Sequence, residues 1–242
     1  MLTVRLKHLN LKPGAYVLDL GCGEGRHCHG VHMLGGVNVV GLDIDIPSLT
    51  KAREGVAMLP DRSERDDALT GFLSGSGYAL PFADNTFDAV ICSEVLEHLH
   101  EYNDAVAEIR RVLKPAGKFA ATVPHAWPEW ICWKLAPAPD GYPLTPGGHL
   151  RIFDDRKLAK EIESAGFKES RPIRHHAHGL HSPYWWLQCL VWKSKDKNWF
   201  VRQYHKLLVW DIMKQPWLTR AMEAVLGPVM GKSVCLYFED DA

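Results

Sequence analysis

Short apolar runs alternate with longer segments whose apolar residues recur at helical spacing. The runs Ala15–Leu20, Val37–Asp43, Phe87–Cys92, Lys118–Val123 and Lys232–Glu239 read as buried strands. A glycine-rich run, Phe72–Tyr78, reads as a short third strand, and Phe167–Arg174 holds the sixth. Between them, Gly25–Leu34, Ile46–Leu59, Asp104–Leu113 and Asp154–Ala165 predict helices, the third with apolar residues at 106, 109, 112 and 113. Leu11-Lys12-Pro13-Gly14 and Lys114-Pro115-Ala116-Gly117 launch the first and fifth strands, and Gly166 ends the fourth helix. Asp61–Leu69 reads as a charged connection or a short helix. Strand–helix alternation of this kind predicts an α/β fold built on a doubly wound parallel sheet.

Two stretches break the pattern. Residues 125–150 are rich in proline, glycine and tryptophan and are expected to form an irregular insertion. Roughly fifty residues, 177–230, then separate the sixth and last strands, where a hairpin needs only a few. Within them Phe200, Tyr204, Leu207 and Leu208 recur at helical spacing, and Leu218–Met230 reads as a second helix.

Length and composition narrow the picture. A chain of 242 residues with 46% hydrophobic content fits one α/β domain, 1–242, with both insertions inside it. A net charge of −1 gives no overall field for nucleic acid. Six cysteines without a Cys-x-x-Cys pair point to reduced thiols in a cytoplasmic protein. Met1–Leu11 is too short and polar for a signal peptide. Little precedes the first strand, so any cover for a ligand is expected from the two insertions.

The chemistry concentrates in Val17-Leu-Asp-Leu-Gly-Cys-Gly-Glu-Gly25, a strand running into a loop with glycine at every second position. Glycine serves where the backbone takes φ > 0 or approaches a ligand closely. The spacing is not the dinucleotide Gly-x-Gly-x-x-Gly, because Arg26 stands at the last position. Asp19 would repel a pyrophosphate and suits a cationic ligand. Asp43 ends the second strand about 20 residues later, where a carboxylate can bind a ribose diol. Asp45 is the competitor, better placed as a helix N-cap.

These residues resemble motif I of class I S-adenosylmethionine (SAM)-dependent methyltransferases, in the broad small-molecule and quinone-pathway group of the "type 11" kind. Leu80-Pro81-Phe82 with Asp84-Asn85-Thr86-Phe87-Asp88, and Arg111-Val112-Leu113-Lys114-Pro115, are similar to further motifs of that family, in the same order. The resemblance implies a Rossmann-like seven-stranded sheet whose last strand inserts antiparallel between strands 5 and 6. It implies SAM as cofactor and S-adenosylhomocysteine as product. The implied cofactor set is Asp19, Gly21, Cys22, Gly23, Gly25, Asp43, Ile44, Ser76, Gly77, Tyr78 and Ser93. Ser76-Gly77 stands where family members often carry Asp-Ala at the adenine, so Ser76 offers a hydroxyl or the Gly77–Tyr78 backbone takes over.

Glu94-x-x-Glu97-His98 puts three ligand-type side chains on one turn. It resembles the Mg²⁺ motif of small-RNA 2′-O-methyltransferases, and His149 could complete such a site. The same pattern is common in the wider family without metal, so no metal is assigned and Mg²⁺ stands second to SAM alone. His98, His125 and His149 are the candidate catalytic bases, by intrinsic pKa and by position after strands 4 and 5. Two further groups cluster, His27/His29/His32 and His175/His176/His178/His181; the latter sits at the end of an edge strand and lacks an acid or cysteine at ligand spacing.

All nine tryptophans lie between Trp127 and Trp217, and residues 171–238 carry ten Lys or Arg against three Asp or Glu. Such a tail fits an acceptor-covering lid, or peripheral membrane contact through 184–230. The expected activity is methyl transfer to a small or lipid-like acceptor, oxygen before carbon. A nucleic-acid methyltransferase and a catalytically silent SAM-binding partner are the alternatives.

Overall fold

In the computed structural model the described residues are 2–60, 67–137, 141–144 and 148–241. Strands β1 (Tyr16–Leu20), β2 (Asn38–Asp43), β3 (Thr70–Ser74), β4 (Phe87–Ser93) and β5 (Leu113–Pro124) pair in parallel in the order β3-β2-β1-β4-β5. The last strand, β8 (Ser233–Asp240), runs antiparallel to β5, with Pro124 opposite Ser233 and Lys118 opposite Glu239. Its outer edge pairs antiparallel with β6 (Phe167–Glu169) and β7 (His175–Ala177).

Helices cover both faces because successive strand residues point to opposite sides. On one face α1 (Arg26–His32) and α2 (Ile46–Ala57) bury Cys28, Val31 and Leu49 with Val17, Val39 and Ile91. On the other, α3 (Tyr102–Val112) and α5 (Asp155–Ser164) bury Val106, Ile109, Leu158 and Ile162 with Leu18, Leu20 and Phe119. The Leu80-Pro81-Phe82 and Arg111–Pro115 motifs meet here. Glu108 Oε2 accepts from Leu80 N at 2.7 Å, and Arg111 donates to the carbonyls of Leu80 and Phe82. The Arg of one motif thus fastens the Leu-Pro-Phe of the other.

The structure corrects four boundaries. The expected irregular stretch 125–150 contains a helix, α4 (Ala126–Leu135), followed by a 3₁₀ turn at Tyr142–Leu144. The third strand ends at Ser74 instead of Tyr78, because a turn closes over Gly75–Ala79. The expected sixth strand, 167–174, is broken by a 3₁₀ turn at Arg171–Ile173 around Pro172, so the seventh sheet position is shared by β6 and β7 and the strand count is eight. Between β7 and β8 the chain forms three helices, α6 (His181–Leu190), α7 (Trp199–Lys214) and α8 (Trp217–Met230), instead of two. Most of the charged connection at 61–69 falls outside the described residues.

Candidate active site

The carboxyl ends of β1, β2, β4 and β5 meet at one edge of the sheet, and the motifs gather there. After β1, the amides of Gly21 and Cys22 both donate to Leu42 O, at 2.7 and 3.1 Å, which folds the glycine loop back over β2. Gly21 has φ +68°, and a Cβ there would lie 2.2 Å from Val95 Cγ2. The loop therefore lies directly against the segment that follows β4. Gly23 also has positive φ, +52°, but its Cβ position meets nothing within 4 Å. That side of the loop faces open space.

Asp43 sits where the ribose ligand is expected. Its Oδ2 accepts from Gly23 N at 2.7 Å and its Oδ1 from Asp45 N at 2.9 Å, leaving lone pairs on both oxygens. Asp45 caps α2 through Ser48 N at 2.9 Å. Ile44, next to it, is 79% exposed over the same edge. Asp19 does not reach this surface. It lies buried under α1, its Oδ2 accepting from Cys28 N at 3.2 Å and Cys28 Sγ at 3.3 Å. Burial pushes its pKa up to about 7. Its observed contact is with the first turn of α1, one layer behind the loop.

Ser76 Oγ accepts from Tyr78 N at 3.2 Å, so Ser76, Gly77 and Tyr78 form one tight turn after β3. Ser93 Oγ lies 2.9 Å from Thr122 Oγ1, and Thr122 in turn donates to Glu94 Oε1 at 2.9 Å. Glu94 has φ +57°, unusual for a side chain with a Cβ, and its amide is held by Thr122 O at 2.9 Å. The short 3₁₀ turn Leu96–His98 follows.

That turn meets the segment leading to α5. The rings of His98 and His149 are 5.1 Å apart. His149 Nδ1 is 2.6 Å from Glu129 Oε1, on α4, and its Nε2 is 4.0 Å from Glu97 Oε1. His98 Nδ1 contacts Gly148 O at 3.1 Å. Glu97 is 0% exposed, and burial, with Glu94 and Glu129 nearby, holds its pKa well above the carboxylate range. Glu129 is the opposite case. Burial alone would raise it, but His149, Lys232 and Trp133 hold it below the ordinary value. Burial lowers His98, so its neutral form is favoured.

His125, the third expected base, is not part of this pair. Its Nδ1 is 3.1 Å from Gly231 O, and its ring centroid lies 4.2 Å from that of His176 with the planes tilted by 35°. Within the two histidine groups, His27 accepts from Val4 N, His29 Nε2 meets Ala52 O, His32 meets Thr70 and His178 Nε2 meets Thr3, while His178 Nδ1 and His181 Nδ1 are buried without a hydrogen-bond partner. Glu129 is the residue that sequence reasoning missed. The available signal was a single acid inside the apolar stretch Trp127–Trp133.

The insertions stand at this same edge. β5 leads through His125 straight into α4, and Ala177 of β7 lies level with Ser233 and so with Pro124. Trp127 Nε1 donates to Val229 O and Trp186 Nε1 to Pro128 O, both at 3.0 Å, tying α4 to α8 and α6. Trp133, Trp185, Trp186 and Trp192 surround buried Cys132, Tyr142 and Cys189 in a small core of their own. These four indoles hold the insertions together. Trp127, Trp130, Trp199, Trp210 and Trp217 remain exposed.

Residues 18–121 match a family model described as a methyltransferase domain. A sterol 24-C-methyltransferase of Gibberella zeae is 36% identical over 124 residues, covering 51% of this chain and 30% of that protein. A squalene methyltransferase of Botryococcus braunii is 33% identical over 129 residues, covering 52% and 30%. The chain thus spans about a third of the length of the curated relatives it matches. Among solved structures, a SAM-dependent methyltransferase from Methanosarcina mazei aligns with a TM-score of 0.57 at 18% identity, over 74% of this chain and 91% of that one. A protein titled the [4+2]-cyclase SpnF aligns with a TM-score of 0.61 at 20% identity, over 97% and 77%. These likenesses speak for the fold. The family-model match covers residues 18–121, and the sheet order built on those residues is that of the class I methyltransferase fold.

Proposed function

We propose that the chain transfers a methyl group from SAM to a small or lipid-like acceptor. The observation that carries this reading is the convergence, at one edge of the sheet, of the open glycine loop, Asp43 and the His98–His149 pair beside the aromatic insertions. The residues fit the cofactor on their own geometry: free space beside Gly23, a carboxylate with spare lone pairs at the end of β2, and exposed Ile44 next to it. Asp43 would hold the ribose diol, Ser76 to Tyr78 the adenine, and Gly21 to Gly25 the aminoacyl end, with Asp19 and Ser93 supporting. When bound, SAM supplies a methyl on a cationic sulfur, ready for in-line displacement.

The rest falls to the chain. It must hold the acceptor in attack geometry, which is the larger part of such catalysis. It must also take a proton. Glu129 fixes the His149 Nδ1–H, which leaves a lone pair on Nε2 for an acceptor hydroxyl. This supports oxygen as the methylated atom. A second reading, methylation at carbon, is favoured by the relatives named as C-methyltransferases. Exposed Trp199, Phe200, Trp217 and Val225 on α7 and α8 support an apolar acceptor and peripheral contact with a lipid surface. The test is incubation of lipid and polar extracts with carbon-13 methyl-labelled SAM. A labelled apolar product is expected, and its methyl shift separates methoxyl from C-methyl. Absence of SAM binding by calorimetry would end the proposal.

A further inference from the structure

Every exposed residue of α8 is apolar. Trp217, Leu218, Met222, Val225 and Val229 are 41–79% exposed. At 3.6 residues per turn they share an arc of about 140°. The two charged residues of the helix are taken up inside the protein: Arg220 donates to Asp211, and Glu223 accepts from the amides of Gly179 and Leu180. The outer side of α7 differs. There Trp199, Arg202, Lys206, Trp210 and Met213 are exposed and spaced three or four residues apart, so bases and aromatics share one stripe. We propose that α7 and α8 dock the protein on an anionic lipid bilayer, with the apolar side of α8 among the acyl chains and the basic side of α7 against the headgroups. This deepens the lipid contact of the proposed function by fixing the face, the lipid charge and the route to the site; the route rests on that reading, and the docking does not.

Charge selects the occupant. Between Val191 and Met230 the exposed charged residues are Lys193, Lys197, Arg202, Lys206 and Lys214 against Asp196. A second copy of this chain, meeting the same face about a two-fold axis, would set these bases against their own images. An anionic headgroup layer attracts each of them instead. Length selects the mode. Among the described residues no helix is long and apolar enough to cross a membrane. An amphipathic helix of this kind lies in the plane of the interface, its apolar side about 5–10 Å deep. Tryptophan favours that depth, because its ring is apolar and its N–H still reaches the headgroups.

The apolar surface does not stop at α8. Trp127 Nε1 donates to Val229 O at 3.0 Å, and Trp127 and Trp130 of α4 are themselves exposed. The far end of α8 is thus tied to the start of α4, which leads back through His125 to the carboxyl end of β5. An apolar track runs from the docking helix to the edge of the sheet where the candidate site lies. An acceptor dissolved in the bilayer would enter along the seam between α4 and α8 without crossing water.

The experiment uses the full chain without SAM, so its outcome is independent of methyl transfer. Flotation is run with vesicles of phosphatidylcholine alone and of phosphatidylcholine mixed with phosphatidylglycerol. Binding to the mixed vesicles is expected to be about tenfold tighter or more, and to weaken at about 0.5 M salt. Met222→Glu with Val225→Glu should lower binding to both vesicles about tenfold or more. Arg202→Glu with Lys206→Glu should abolish the preference for the anionic vesicles and leave the weaker binding in place. Circular dichroism checks that each variant folds. Should the Met222/Val225 variant not fold, the wild type decides with vesicles carrying brominated acyl chains: tryptophan quenching that falls in Trp217→Phe supports the docking, and no quenching overturns it. Wild type that stays in solution, unchanged binding by the folded Met222/Val225 variant, or equal binding to both vesicles would equally overturn it. So would a dimer in sedimentation equilibrium that Val225→Glu splits, which would give the face to a second copy. Vesicle binding with no labelled product would leave the docking standing and remove the methyl transfer alone.

Discussion

Asp19 offers a test in which the structure sets both sign and size. Its carboxyl is fully buried, and burial raises its pKa from 3.8 to about 7, against the pull of the Cys28 hydrogen bonds and Arg26. A folded-state pKa above the unfolded one means the native state binds the extra proton. The stability that Asp19 contributes is therefore complete below the unfolded pKa of 3.8 and is lost as pH rises through about 7. Three pKa steps at 1.36 kcal/mol each give about 4 kcal/mol between the two limits. Asp19→Asn keeps an oxygen for Cys28 N and never ionises. Its loss or gain of contacts adds an offset that does not vary with pH. The buried His27, held down to about 3, contributes a slope of opposite sign, but it does so in both proteins. Urea denaturation of wild type and Asp19→Asn between about pH 4 and pH 8 isolates the difference. The variant should gain steadily on the wild type across this range, by roughly 3–4 kcal/mol, and level off above about pH 7. A difference that stays flat would refute the assignment of a largely protonated, desolvated carboxyl behind the glycine loop.

Other perturbations read the remaining parts of the site. Asp43→Ala removes charge-assisted hydrogen bonds of about 1.5–3 kcal/mol each, so SAM affinity should fall at least tenfold by calorimetry, while NAD should not bind. Gly21→Ala forces a methyl onto Val95 at positive φ, and should abolish SAM binding or lower Tm measurably by circular dichroism. Glu129→Gln leaves His149 without its carboxylate. The rate of methyl transfer should drop and its pH profile shift, with little change in SAM affinity. Serine at Trp199, Phe200 and Trp217 together removes three exposed aromatics of about 1.5–3 kcal/mol each when buried, so sedimentation with lipid vesicles should weaken more than tenfold if this face meets lipid.

Strands β1, β2, β4 and β5 were legible because they are largely buried and read as apolar runs, whereas β3, none of whose residues is buried, was placed too late in the chain. The glycine loop was legible because positive φ at Gly21, Gly23 and Gly25 leaves few other residues. Helix α4 was hidden for a physical reason. Pro128 looks like a breaker, yet it sits in the first turn, where no intrahelical N–H is required. Apolar residues on every side of that helix also blur its period. The break between β6 and β7 is forced by Pro172, whose consequence for pairing depends on β8, some sixty residues later. The His149–Glu129 contact joins residues 20 apart within one insertion, and no local period encodes it. Asp19 shows the converse: its motif position is plain in sequence, while its depth under α1 is a property of packing alone.

Strand β8 fills the gap between β5 and β6, although it is the last strand in the chain. During synthesis the ribosome therefore releases β1 to β5 and the whole aromatic segment before the strand that seals them is available. Until residues 233–240 emerge, β5 presents a long open edge and the insertions form a tethered flap with no return anchor. Closing that loop needs contacts between residues more than a hundred positions apart, which slows folding by its entropy. A chain stopped after Met230 should accordingly expose the β5 edge and self-associate, even though every glycine, aspartate and histidine of the candidate site has already been made.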